Sequence, residues 1–172
     1  MRYAFSLGIA ALACLPWVST YAGNVTIAPG ITGQSDTTLR LAYGREWDNR
    51  WLQSQRGELG GYWDLGLTYW EEGDAAPDRY SISFSPVFVY RFNTDGFTPF
   101  IEAGIGAAAF SGTHVGDRDL GSRLAFEDRI GAGVEFAVHH VIGIRAMHYS
   151  NADLASPNEG IESYSLYYRY SF

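Results

Sequence analysis

Lysine is absent from this chain: all 12 basic residues are arginines, set against 19 acidic residues for a formal net charge of −7. A chain so acidic, with no basic stripe, is not a nucleic-acid binder. A single cysteine, Cys14, excludes a disulfide framework and any multi-cysteine metal site. Charge of either sign is scarce, at 18% of residues against roughly 25% in an average soluble chain. Aromatic residues reach 16%, which excludes a disordered chain. Beyond residue 22 no apolar run is long enough to cross a membrane as a helix. At 172 residues there is room for one ordinary domain.

The N-terminus has the layout of an export signal. Arg2 supplies a positive start, Ala4 to Val18 an apolar stretch, and Thr20-Tyr21-Ala22 a small-residue cleavage site. Pro16 interrupts the stretch and no positive flank follows, which argues against a transmembrane anchor. Ala11-Leu12-Ala13 ahead of Cys14 fits a lipoprotein signal poorly. The expected organisation is a signal peptide over residues 1–22 and an exported domain over residues 23–172.

What the exported part does have is alternation of period two, the mark of strands with one apolar face. From Tyr80 to Phe92 the even positions are Tyr80, Ile82, Phe84, Pro86, Phe88, Tyr90 and Phe92, while Ser81, Ser83, Ser85 and Arg91 fall on the odd side. Leu59, Trp63, Leu65, Leu67 and Tyr69 share a face opposite Asp64 and Thr68. Comparable stretches lie at Leu39 to Tyr43, Ile101 to Ala107, Leu124 to Phe136, Val141 to Ser150 and Glu162 to Phe172. With a first strand near Val25 to Gly33 the count is eight, separated by turn signals that include Asp48 to Gly57, Ser111 to Gly121 and Asn151 to Gly160. An even number of strands about ten residues long predicts an all-β fold, an eight-stranded antiparallel transmembrane β-barrel of the outer-membrane type. Such a barrel has no pore, so inward Arg and acidic residues pair inside it. A soluble eight-stranded barrel would turn the apolar face inward. Aromatic residues towards the strand ends, and a C-terminal Phe172 after Tyr168 and Tyr170, favour the membrane form.

If the apolar faces meet lipid, polar residues on them need a reason. His148 and Ser150 share parity with Ile142 and Ile144, and Glu162 shares parity with Tyr164 and Leu166. Residues two apart lie on one strand face, and a partner strand lies about 4.8 Å away. A hydroxyl, an imidazole and a carboxylate therefore converge as nucleophile, base and orienter. A serine hydroxyl becomes a competent nucleophile when a base takes its proton, and neutral His does this near pH 7. The carboxylate fixes the tautomer and steadies the imidazolium. Asp128, between Phe126 and Ile130, is a fourth polar exception, either supporting the site or pairing with Arg129 or a loop Arg. His139-His140 falls in a turn at the opposite end and reads as solvated, and His114 has no matching ligand set. Asp117-Arg118-Asp119 is a weak divalent-cation motif. Gly104, Gly106, Gly131 and Gly133 read as packing relief on inward faces.

Phe126-Glu127-Asp128-Arg129-Ile130-Gly131, His148-Tyr149-Ser150-Asn151 and Asn158-Glu159-Gly160-Ile161-Glu162-Ser163-Tyr164-Ser165-Leu166 resemble the PagL lipid A deacylases of Gram-negative outer membranes. The likeness extends over residues 23–172, including Gly61-Tyr62-Trp63-Asp64 and Ser85-Pro86-Val87-Phe88-Val89-Tyr90. It implies an eight-stranded barrel whose lipid-facing triad hydrolyses the ester-linked 3-hydroxyacyl chain at position 3 of lipid A. On that resemblance Ser150 is the nucleophile, His148 the base and Glu162 the orienter. Asn158 matches the position that supplies an oxyanion-hole side chain, and the backbone amide of Asp153 matches the other donor. The family commonly has Gly where this chain has Asp153. No metal or organic cofactor is implied. The expected partners are lipopolysaccharide as substrate and outer-membrane lipids, with no nucleic acid and with a second copy of the chain admitted as a homodimer. Two rivals remain at this point: a phospholipase or acyltransferase barrel, which would use the same relay, and a non-enzymatic small outer-membrane barrel.

Overall fold

The computed structural model describes residues 23–172, and the segment read as a signal peptide, residues 1–22, lies outside the described residues. The strands are β1 (Gly23–Thr32), β2 (Thr37–Glu46), β3 (Trp51–Ser54), β4 (Gly57–Trp70), β5 (Arg79–Phe92), β6 (Thr98–Phe110), β7 (His114–Val115), β8 (Arg118–Asp119), β9 (Leu124–Phe136), β10 (His140–Ser150) and β11 (Ile161–Ser171). Eight of them pair antiparallel in the order β1-β2-β4-β5-β6-β9-β10-β11, and β11 returns to β1. The eight strands close on one another, so the barrel wall they form has no free edge.

Two details differ from the sequence reading. The stretch Asp48 to Gly57, expected as a turn, contains β3, which folds back on the start of β4 with Trp51 opposite Leu59 and Ser54 opposite Gly57. The Ser54 hydroxyl closes this turn by accepting from the Arg56 amide and donating to the Gly57 carbonyl. The first strand starts at Gly23 rather than Val25, because Gly23 pairs with Arg45 and its carbonyl accepts from the Phe172 amide at 2.8 Å.

The two faces follow the alternation. Leu65, Leu67, Ile82, Phe84, Ile105, Ile130, Ile144 and Leu166 are exposed on the outside. Arg40, Asp64, Glu102, Glu127, Arg129, Arg145 and Arg169 are buried within. A soluble barrel would have these inverted; here the apolar surface is the one offered to lipid.

Inside, the charges pair as elementary electrostatics requires. Asp64 accepts from Arg40 and from Arg129 Nη2, the latter at 2.7 Å. Glu127 accepts from Arg129, from the Ser85 hydroxyl at 2.6 Å and from the Tyr149 hydroxyl at 3.0 Å. Lower in the barrel, Glu102 accepts from Arg145 Nε at 2.7 Å and from the Tyr62 hydroxyl at 2.9 Å. Glycine makes the room: a Cβ on Gly66 would lie 2.1 Å from Arg40 Cζ, and one on Gly131 3.0 Å from Glu102 Cγ. Gly104, Gly106 and Gly133 likewise face crowded inward neighbours, as the packing-relief reading expected.

One end of the barrel is plugged. The connection 111–123, which contains the β7–β8 hairpin, inserts Val115 and Leu120 among Trp70, Phe110, Tyr149 and Ile161. It is tied to its neighbours on both sides. Asp117 Oδ1 accepts from the Asp74 amide at 2.6 Å, and the Asp119 amide donates to Glu159 Oε2 at 2.7 Å. This end also carries the connections 33–36, 71–78 and 151–160, while both ends of the barrel sequence, Gly23 and Phe172, lie at the other. Long loops at one end and the termini at the other are the layout outer-membrane barrels adopt, loops outward.

Candidate active site

The register of β10 with β11 sets His148 directly opposite Glu162, and the register of β10 with β9 sets it opposite Asp128. Because parity is fixed along each strand, all three side chains stand on the outer face, one step below the looped rim. His148 Nδ1 and Glu162 Oε1 are 3.0 Å apart, with the two side chains 44% and 36% exposed. A carboxylate at Nδ1 places the proton there and leaves Nε2 as the acceptor. Ser150 follows two residues on, the last residue of β10, on the same face and opposite Phe126. Its hydroxyl makes no hydrogen bond among the described residues, so the seryl oxygen and the free Nε2 stand on one strip of the barrel wall.

Asp128 is exposed on this face. The alternative in which it pairs with Arg129 does not hold, because neighbouring residues point oppositely in a strand. Arg129 turns inward to Asp64 and Glu127. His148 thus has a carboxylate on each flanking strand and is hydrogen-bonded to the one on β11.

The connection 151–160 caps the site. Its anchor is Asn151, buried directly after Ser150. The Asn151 side chain donates to the carbonyls of Leu120 at 2.7 Å, Ala155 at 2.9 Å and Pro157 at 3.2 Å. Ala152 and Asp153 follow with φ of 53° and 61°, the left-handed region. At Asp153 this is the conformation a Gly adopts without strain, and Asp is among the residues that tolerate it. Asn158 Oδ1 accepts from the Asn151 amide at 2.9 Å, and its Nδ2 donates to Asp153 Oδ1 at 3.1 Å. An amide nitrogen has two hydrogens, so one remains for another acceptor. Asn158 and Asp153 are therefore brought together beside Ser150, joined by their side chains.

Sequence reasoning missed Gly160. It has φ of 65°, and a Cβ there would lie 2.8 Å from His148 Cε1 and 3.5 Å from Nε2. The backbone at Gly160 thus forms a wall against the Nε2 edge of the imidazole. A glycine directly ahead of a strand that bears a candidate acid was the available signal.

Below His148 and Glu162 the outer wall is hollowed. A groove of about 790 Å³ runs across the barrel, its floor lowered by Ala103, Ala132 and Ala146 and its sides formed by Ile130, Ile144 and Tyr164. Ala146 and Tyr164 are the next outward residues below His148 and Glu162, so the groove opens at the site. The remaining histidines sit elsewhere. His140 Nδ1 is 2.6 Å from the Tyr168 hydroxyl and His139 Nδ1 is 2.9 Å from the Ser171 carbonyl, both in the aromatic rim at the far end. His114 Nε2 pairs with Asp119 at 3.4 Å. No group of three or more His, Cys, Asp or Glu with metal-holding geometry occurs among the described residues.

Comparison with known proteins gives a consistent result. Residues 37–171 match the family model described as lipid A 3-O-deacylase (PagL). The chain is 57% identical over 161 residues to the lipid A deacylase PagL of Pseudomonas aeruginosa, covering 94% of this chain and 93% of that one. It is 35% identical over 159 residues to the lipid A deacylase PagL of Bordetella bronchiseptica, covering 87% and 84%. Among solved structures, the crystal structure of the outer membrane enzyme PagL superimposes with a TM-score of 0.84 at 59% identity, covering 86% of this chain and 98% of that one. Neisserial surface protein A, with a TM-score of 0.55 at 16% identity over 88% of this chain and 96% of that one, shares the barrel fold alone.

Proposed function

The chain belongs to the PagL family of outer-membrane lipid A 3-O-deacylases, and from that premise we propose that it cleaves its ester as a serine hydrolase using Ser150, His148 and Glu162. As Ser150 Oγ attacks the ester carbonyl carbon, its proton passes to His148 Nε2. Glu162 holds the Nδ1 proton and steadies the imidazolium. Charge develops on the carbonyl oxygen, where the second Asn158 Nδ2 hydrogen and the Asp153 backbone amide serve as donors. The intermediate collapses with the His148 proton going to the sugar oxygen at position 3, which leaves as an alcohol. Water, deprotonated by His148, then attacks the acyl-Ser150 ester; as the C–Oγ bond breaks, His148 returns that proton to Ser150 Oγ, and the 3-hydroxy fatty acid is released.

The observation that carries this reading is the 3.0 Å bond between His148 and Glu162, in register on the lipid-facing wall one step from Ser150. Depth supports it as well. An acyl ester in lipid A lies where sugar meets hydrocarbon, and the three residues lie where the barrel's apolar wall meets its loops. The hollow below Ala146 gives the scissile chain a place along the wall while the sugar stays at the rim. Asp128, beside His148 and open to the outside, is read as a support for the site. Every residue named belongs to one chain, so a second copy is not needed for the chemistry.

Single-turnover trapping tests the proposal. A long-chain organophosphonate should label the refolded barrel once, and peptide mass analysis should find the adduct on Ser150. An adduct on another residue, or none with a barrel active on lipopolysaccharide, would overturn the assignment.

A further inference from the structure

On the opposite side of the barrel, at the end away from the candidate triad, the outer wall carries a second built feature. After β2 the chain turns outward, and Trp47 lies over Gly61, where a Cβ would come within 2.2 Å of the indole. The turn is pinned. The Trp47 amide donates to the Gly61 carbonyl at 2.8 Å, Arg50 donates to the carbonyls of Trp47 and Asn49, and Arg50 Nε pairs with Glu58 at 3.3 Å. Trp47 meets Trp51, Trp63 and Phe88 edge-on at centroid distances of 6.1, 5.6 and 5.0 Å.

These rings border a hollow of about 650 Å³ whose lining includes Arg45, Asp48, Trp47, Trp51 and Trp63. It continues into an apolar furrow of about 320 Å³ between Tyr43, Leu65 and Phe84, the two sharing Arg45 and Trp63. The ladder explains the continuity, because Arg45, Trp63 and Pro86 form one outward row across β2, β4 and β5, and Tyr43, Leu65 and Phe84 form the next row inward.

We propose that this ledge is a binding site for one glycerophospholipid of the periplasmic leaflet with a primary ammonium headgroup, a phosphatidylethanolamine. Each part of that molecule has a counterpart. Arg45 is exposed beside the hollow and suits the phosphate. The carboxylate of Asp48 and the indole faces suit the ammonium, which favours both an anion and an aromatic quadrupole. One acyl chain lies along Tyr43, Leu65 and Phe84. A headgroup carrying only negative charge would meet Arg45 but would also be set against the exposed Asp48, whereas Glu46 is already paired with Arg91 and Arg50, and this favours the zwitterionic lipid. The position is coherent with the fold, since the end holding Gly23 and Phe172 faces the periplasm.

Native mass spectrometry of the full barrel, released from vesicles of mixed phosphatidylethanolamine and phosphatidylglycerol, tests this. The expected result is one retained phosphatidylethanolamine per chain. Arg45→Gln and Trp47→Ala should each lower its retention by about tenfold or more, and Asp48→Asn should narrow the preference over phosphatidylglycerol. Deacylation of lipopolysaccharide at the other rim should be unchanged in all three. Heat-modifiable gel mobility confirms that each variant is a closed barrel, and Arg45→Gln leaves the aromatic ledge intact if Trp47→Ala does not fold. No retained lipid, retention of phosphatidylglycerol as strongly as phosphatidylethanolamine, or equal retention by the folded variants would overturn the proposal.

Discussion

Replacing Gly160 by Ala should disable the reaction without opening the barrel. Carbon atoms in contact settle about 3.5–4.0 Å apart, whereas a Cβ at residue 160 would sit 2.8 Å from His148 Cε1. Ring and loop must therefore separate by roughly 0.7 Å. The ring is held from its other side by Glu162 at 3.0 Å, so moving it strains that bond and displaces Nε2. Misplacements near 1 Å in a reacting geometry cost about a hundredfold, which sets the expected loss in kcat at roughly tenfold to a hundredfold. KM should change little, because the groove that receives the chain is untouched. A side chain at φ of 65° also brings backbone strain, about 1–2 kcal/mol, and a control separates the two effects. Gly96 has φ of 88° with nothing within 4 Å of its Cβ position, so Gly96→Ala carries the strain without the contact. The assay is release of 3-hydroxy fatty acid from lipopolysaccharide, with heat-modifiable mobility as the folding check. Activity of folded Gly160→Ala within about twofold of wild type, a difference too small for a displaced base, would refute the reasoning.

Three further outcomes follow from the same geometry. Asp64→Asn leaves Arg40 and Arg129 short of a shared buried carboxylate, and should cost about 3–5 kcal/mol, read as a fall of roughly 6–20 °C in thermal unfolding of the barrel in detergent; a fall under about 2 °C would show that Glu127 suffices. Glu162→Gln should retain more activity than His148→Ala in lipopolysaccharide deacylation, since an amide positions the ring without steadying its charge; equal losses in the two variants would contradict this. Asn151→Ala releases the 151–160 connection from the Leu120, Ala155 and Pro157 carbonyls, and should lower kcat while leaving unfolding almost unchanged; hydrogen exchange over residues 151–160 that matches wild type would argue against the anchoring role.

The strand count and the facing of side chains were legible because a membrane barrel makes parity do the sorting. Once Ile142 and Ile144 face lipid, His148 and Ser150 must as well, and the cross-strand match with Glu162 follows from the hairpin between them. The inward arginines were legible as inward, but not which acid each would meet. Asp64 serves both Arg40 and Arg129, four strands apart in the sheet order, and that depends on barrel closure rather than on local pattern. The plug was also hidden. Val115 and Leu120 stand among Gly, Asp and Arg, and their burial comes from a connection folding over the mouth. The surroundings of Ser150 were legible in type only. Asn158 and Asp153 were named by resemblance, while their mutual bond, the left-handed turn at Ala152 and Asp153, and the wall at Gly160 arise from the path of a loop that has no periodicity to read.

The most direct test of the account is Ser150→Ala, purified as a folded barrel and incubated with lipopolysaccharide. Mass spectrometry of the recovered lipid A reads the chain at position 3. Ser150 is the last, ladder-paired residue of its strand and its hydroxyl makes no hydrogen bond among the described residues, so removing that hydroxyl should leave the barrel intact. Lipid A should come back with the position 3 acyl chain in place, and adding His148→Ala should cause little further loss, because nucleophile and base act as one unit. Lipid A shortened by that acyl mass at a rate near wild type would contradict the serine-esterase mechanism.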